Sequence, residues 1–394
     1  MRRRDVLKAA LGGGLLPFLP SIGCARGQTW WDLPVNFDGR VVVIGAGPAG
    51  LAAGYLLDRY GIDYTLFEAS GRWGGRVQRM DDFVDVPIDL GAEWLHDLPG
   101  ALSEVVDDPS VDATLDLVRY APQTAKVWNG KRLRSFNGQR HIYGEYKFQT
   151  TTWHQFLETW FLPASEARLE LDAPVVAVDS SGPGVTLHLA DGRTEEADRV
   201  IVAVPLKILQ DGVIEFTPAL PDWKLDAMDR VTVVDGLKVF LEMDSRFYPD
   251  VTYLNRIRDG GADHAAMDGV FRKGSSKNLL TVFCVGKHAK QYVDLDEDAL
   301  LDRILENLDA PFDGAASRNL LQARVQNWSS EPWIRGAYAY GFDNIRQDIA
   351  DLAESVDDRL YFAGAAFAPL PNTVAVHGAM KSGYAAVAEL LATP

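Results

Sequence analysis

The stretch from Val41 to Arg76 limits what this chain can fold into more than any other. Val41, Val42, Val43 and Ile44 form a β-branched run, the composition of a strand buried on both faces. The run enters Gly45-Ala46-Gly47-Pro48-Ala49-Gly50 and then Leu51–Leu57, which reads as a helix. A second strand, Tyr64–Phe67, ends on Glu68. Each position has a physical task. Gly45 allows the tight turn, Gly47 lets the backbone approach a pyrophosphate, and Gly50 lets helix and strand pack closely. The helix that starts at Pro48 offers free N–H groups to phosphates from Ala49 onward, and Glu68 stands where a carboxylate accepts from a ribose. Strand, glycine turn, helix and acid in this order predict a dinucleotide-binding α/β unit.

The next segment selects the dinucleotide. Glu68-Ala69-Ser70-Gly71-Arg72-Trp73-Gly74-Gly75-Arg76-Val77 resembles the corresponding segment of the flavin-containing amine oxidases. The resemblance implies FAD, with Gly74 and Gly75 in close backbone contact and Arg72 and Arg76 beside an anionic cofactor. It continues in four further motifs, in the family's order. Asp89-Leu90-Gly91-Ala92-Glu93-Trp94-Leu95-His96 resembles a polyamine oxidase segment, whose backbone at Gly91, Ala92, Glu93 and Trp94 would run along the flavin and whose histidine, His96, would lie at the substrate channel. Ala197–Pro205 resembles the strand closing the FAD domain, and Val175 would face the adenine. Trp328–Tyr338, with Trp333 inside it, resembles a loop shared by plant polyamine oxidases and histone lysine demethylases. Ala337 stands where monoamine oxidases attach FAD to a cysteine, so the flavin is expected to be non-covalent. Tyr338 would form one wall of an aromatic cage that orients an amine, since a π face attracts cations. Gly364 and Ala365 match the last FAD strand, and Val374, Ala375, Val376 and Ala379 begin a helix whose N-terminus would face the ring. Two departures stand out: Ala365 and Ala366 replace the family's acid, and small Ala375 aligns with the second cage wall.

Lys238 interrupts the apolar run Val231–Leu241, expected as one strand. Burying an ammonium there is costly without a partner, unless the strand is an edge with the ammonium in solvent. The resemblance places a lysine here beside flavin N5, holding a water. Between Gly100 and Glu170 the family's long helical substrate domain is cut down. That interval carries a turn at Asn129-Gly130 and a set of aromatics, Tyr143, Tyr146, Phe148, Trp153, Phe156, Trp160 and Phe161, read as core rather than channel lining.

The expected architecture is α/β: a Rossmann-like FAD-binding domain of glutathione-reductase type with an interleaved α+β substrate domain, the amine oxidase fold. The FAD domain is expected over 38–96, 171–212 and 355–394, and the substrate domain over 97–170 and 213–354. The implied reaction is hydride transfer from the carbon next to an amine to flavin N5, imine hydrolysis, and reoxidation by O2 to give H2O2. Two alternatives stay open: an exported FAD-binding subunit completed by a partner chain, and a flavin dehydrogenase or desaturase on a non-amine substrate. A homodimer is compatible with either.

A net charge of −16 disfavours nucleic acid or an anionic membrane as partner. Neither metal-ligand spacing nor a nucleophile–base set competes with the flavin. Of two cysteines, Cys24 falls in an N-terminal segment, so no disulfide framework is expected around Cys284. Arg2-Arg3-Arg4-Asp5-Val6-Leu7-Lys8, followed by apolar Ala9–Leu19, resembles a twin-arginine export signal over residues 1–25. The expected location is periplasmic or secreted, with a lipid anchor on Cys24 as the weaker alternative. Removing the segment deletes Arg2, Arg3, Arg4 and Lys8 against Asp5, taking the charge from −16 to −19.

Overall fold

The computed structural model describes residues 30–108, 111, 116–137, 145–255 and 263–394. The expected N-terminal signal segment, Cys24 and Tyr143 lie outside them. Strand β1 (Arg40–Ile44) leads through the glycine turn into helix α1 (Pro48–Arg59), with Pro48 in the first turn, where its missing N–H costs nothing. Strand β2 (Asp63–Phe67) returns parallel to β1, with Val42 opposite Thr65. A Cβ on Gly50 would lie 1.8 Å from the Gly45 carbonyl oxygen, so only glycine fits there.

The chain then leaves this layer through the short β3 (Trp94–Leu95). Strands β4 (Ala125–Trp128) and β5 (Leu133–Ser135) form the expected hairpin, with Trp128 opposite Leu133. Asn129 Oδ1 accepts from the Lys131 and Arg132 N–H groups at 3.0 and 2.9 Å, and Gly130 takes φ +87°. Strand β6 (Tyr146–Phe148) pairs with β3 and sets Lys147 opposite Trp94. Helix α2 (Trp153–Trp160) follows, capped by Thr152, whose side chain accepts from the Gln155 N–H. The described aromatics behave mainly as core: Phe148 and Trp153 meet edge to face at 5.3 Å, and Phe161 packs 5.1 Å from Tyr55 of α1.

Strand β7 (Leu169–Glu170) adds to β2, so the chain has rejoined the parallel sheet by residue 169. Strands β8 (Val175–Asp179) and β9 (Val185–Leu189) pair antiparallel as expected, with a bulge after Val175. Strand β10 (Arg199–Val202) lies parallel beside β1. The run Val231–Leu241 is not one strand. It divides into β11 (Val231–Val234) and β12 (Gly236–Met243), which belong to different sheets. The cause is the corner at Asp235-Gly236, where a Cβ on Gly236 would stand 2.5 Å from that of Ala337. Closing on Ala337 bends the chain out of one ladder and into the next.

Strands β13 (Val251–Tyr253), β14 (His264–Asp268) and β15 (Asn278–Val285), helix α3 (Glu297–Phe312) and strand β16 (Leu320–Asn327) complete the second lobe. Its sheet runs β16-β12-β15-β14-β13-β4-β5, so β12 has a neighbour on each side. Strand β17 (Tyr338–Phe342) pairs with β11, and helix α4 (Ile345–Ala353), strand β18 (Leu360–Phe362) and helix α5 (Val376–Ala392) return to the first lobe. The parallel sheet is β7-β2-β1-β10-β18. Alternation decides its layering: Val41 and Val43 pack on α1 and α5, while Val42 and Ile44 pack on the β8–β9 layer.

Candidate active site

At the nucleotide end, Glu68 leaves the end of β2 beneath the glycine turn. Its Oε2 accepts from the Ala46 N–H at 2.9 Å, and its Oε1 from the Ser70 N–H and hydroxyl at 2.9 and 2.8 Å. The carboxylate is thereby fixed before any ligand arrives. A Cβ on Gly47 would meet nothing within 4 Å, so the space a diphosphate would need is open. Gly74 and Gly75 take φ +96° and +55°, and the Gly74 N–H donates to the Ala46 carbonyl. A cavity beside this turn is lined by Gly45, Glu68, Ala69, Val175, Pro205 and Trp333. Fixed acid, open backbone and lined cavity fit the adenosine end of FAD.

At the other end, distant segments are tied together. The partly buried Arg76 guanidinium donates to the Ala337 carbonyl, next to Tyr338, and loss of solvent around it lowers its pKa to about 10. A Cβ on Gly91 would strike the Arg76 carbonyl and stand 2.9 Å from the Trp328 ring, so the Gly91-Ala92 backbone is wedged between them. Arg72 reaches Glu331 at 3.1 Å. The Gly364 N–H donates to Ser382 Oγ, and the Ala365 carbonyl accepts from the Val374 N–H at 2.9 Å. Val374 holds φ +63°, which costs a β-branched residue about 1–3 kcal/mol. Ala375 caps α5 with no side-chain hydrogen bond, so the N–H groups around Val376 stay available, and Ala379 lies one turn in.

Lys238 lies inside β12 and is 3% exposed, so the solvent-edge alternative fails. Its Nζ donates to Glu93 Oε2 at 2.8 Å and approaches the Asp89 carbonyl at 3.4 Å. Glu93, which the motif assigned only through its backbone, supplies the partner the ammonium needs. Lys147 holds the other Glu93 oxygen. Burial would raise the Glu93 carboxyl, but the Lys147 and Lys238 ammoniums overcome it and hold the pKa at about 2. Asp89, whose Oδ1 accepts from the Trp153 N–H, is pushed up to about 7 by burial despite nearby Lys273.

Tyr338 enters the same region, because the Ala337 N–H donates to Val234 and Ala337 packs on Gly236, two residues before Lys238. Burial pushes its phenol well up. Tyr340 lies alongside, ring centres 6.3 Å apart, with its hydroxyl 3.5 Å from Asp263. His96 stands apart: its side chain is 52% exposed and its nearest ion-pair partner is Glu145, at 3.7 Å. Sequence reasoning missed Lys147 and Tyr340. Lys147 sits between two aromatics in an alternating strand, a weak hint of an inward cation, and its meeting with Glu93 is a tertiary event.

Solved structures share this fold. A cyclohexylamine oxidase from Brevibacterium oxydans IH-35A superposes with TM-score 0.74 at 16% identity, covering 90% of this chain and 99% of its own. A putrescine oxidase variant gives 0.71 at 18%, with the same coverages. The family model for flavin containing amine oxidoreductase matches residues 48–167 and 154–391, and the chain belongs to that family. It is thus an FAD-dependent oxidoreductase acting on amines. Among curated relatives, polyamine oxidase 4 of Oryza sativa subsp. japonica is 26% identical over 89% of this chain and 88% of its own length. Lysine-specific histone demethylase 1B of Mus musculus is 24% identical over 89% of this chain and 53% of its own.

Proposed function

We propose that the chain is an exported oxidase that takes hydride from the carbon next to a small amine and passes the electrons to O2. Bound FAD would supply the two-electron chemistry at N5, with the imine released to water and H2O2 formed on reoxidation. The carrying observation is the convergence of Arg76 and Gly91, Lys238, and Ala337-Tyr338, three stretches distant in the chain, on one place between the lobes. Glu68 and the Gly45–Gly50 turn hold the nucleotide. The wedged Gly91–Trp94 backbone, Trp328, and Gly364–Ala379 flank the ring, held without a covalent bond. Tyr338 presents a ring face that aligns the amine and excludes water, and Lys238 faces N5, where its ammonium holds a water. His96 borders the entrance, exposed enough to touch an arriving substrate.

The test is anaerobic mixing of the purified yellow protein with mono-, di- and polyamines, followed by air. Bleaching with at least one amine and return of colour with H2O2 is the expected result. A flavin that no amine bleaches removes the oxidase reading and favours a subunit that needs a partner chain.

A further inference from the structure

The Glu93 carboxylate lies between two ammoniums, Lys238 on Oε2 and Lys147 on Oε1. The three arrive from separate places: β12, β6 and the segment before β3. Lys238 and Lys147 lie 5.5 and 5.9 Å from the centre of the Trp94 ring, and Lys147 also lies 5.1 Å from that of Tyr120. All three charges are buried, Lys147 to 2% exposure. Desolvating so many ions is unfavourable, and one carboxylate can neutralise only one of two ammoniums. Stability therefore gives no reason for the arrangement, whereas a site that must carry positive charge does. Lys273 and Asp89 stand beside the trio and add a further cation and a carboxyl that burial leaves partly protonated near pH 7.

We propose that Glu93 and Lys147 are positioning residues for the flavin-facing lysine: Glu93 fixes the Lys238 ammonium, and Lys147 supplies the excess positive charge that favours an electron-rich, anionic ring. The inference rests on the proposed place of Lys238 beside FAD. Without Lys147, Glu93 and Lys238 form a neutral pair, and the trio's own excess charge is gone, leaving only what Lys273 adds against a partly protonated Asp89.

The two-electron midpoint potential of bound FAD tests this in wild type, Lys238→Met, Lys147→Met and Lys147→Arg. Lys147→Met is expected to lower the equilibrium constant for reduction at least tenfold, about 30 mV for two electrons. Lys147→Arg is expected to stay within threefold of wild type. An unchanged potential in Lys147→Met beside a shifted one in Lys238→Met overturns the role of Lys147 and leaves the site reading intact. An unchanged potential in Lys238→Met overturns the place of Lys238 and this inference with it. A fall equally large in Lys147→Arg assigns the effect to shape and overturns the charge argument. Lys147→Gln, which keeps the length and a donor, takes the place of Lys147→Met if that variant does not fold.

Discussion

Asp89 shows what one buried carboxyl does to this protein. Burial raises its pKa from 3.8 to about 7 even though Lys273 and Lys238 oppose the rise. An acid raised on folding binds more protons in the native state, so its contribution is largest near pH 4 and declines as pH climbs to about 7. Asp89→Asn keeps an acceptor for the Trp153 N–H and removes the ionisation. Its stability relative to wild type is expected to improve between pH 4 and 7 by up to about 4 kcal/mol, at about 1.4 kcal/mol per pKa unit. Thermal unfolding midpoints of both proteins across that range check this. A constant difference would mean that Asp89 stays ionised throughout.

Among elements, the close packing of α1 on α5 decides how the helix layer sits. Gly383 lets α5 approach so closely that a Cβ there would lie 2.2 Å from the Ala49 carbonyl oxygen. Elsewhere in a helix, glycine to alanine gains about 1 kcal/mol of propensity. Here the clash is with backbone, which cannot rotate away. Gly383→Ala is therefore expected to destabilise by about 1–3 kcal/mol, measured by denaturant unfolding, and to weaken FAD retention because α5 carries the Val376 end of the site. A second element-scale device closes α4. Lys224 is buried, and its Nζ donates to the carbonyls of Asp351, Leu352 and Glu354 at that helix's C-terminus, with its pKa lowered to about 7 chiefly by burial.

For the whole molecule, two lobes share one chain that crosses between them repeatedly, and the candidate site lies at the crossings. An FAD-loaded, interleaved fold suits a route that exports proteins already folded, which is the physical sense of the export signal we propose for the N-terminal segment. Replacing Arg3 and Arg4 together by lysine is expected to leave the yellow protein in the cytoplasm with its leader attached, read by fractionation and mass spectrometry. Export unaffected by that change would remove the assignment.

The sequence by itself determined the glycine-turn unit at the start of the parallel sheet. Gly45, Gly47, Gly50 and Glu68 act within one strand–turn–helix–strand unit, where backbone sterics and spacing are local and therefore legible. It also determined the Asn129-Gly130 hairpin and posed the question of what balances Lys238. Only the tertiary structure answered it. Glu93, just before β3, reaches Lys238 on β12, and Lys147 on β6 reaches Glu93, and no local periodicity records which side chains meet between sheets. The break at Gly236 had a local signal in the Asp235-Gly236 pair, but that the chain changes sheet there is decided only when Ala337 closes against Gly236. Local conformation is written in neighbouring residues, whereas the balance of buried charge depends on contacts that exist only once the chain has closed on itself.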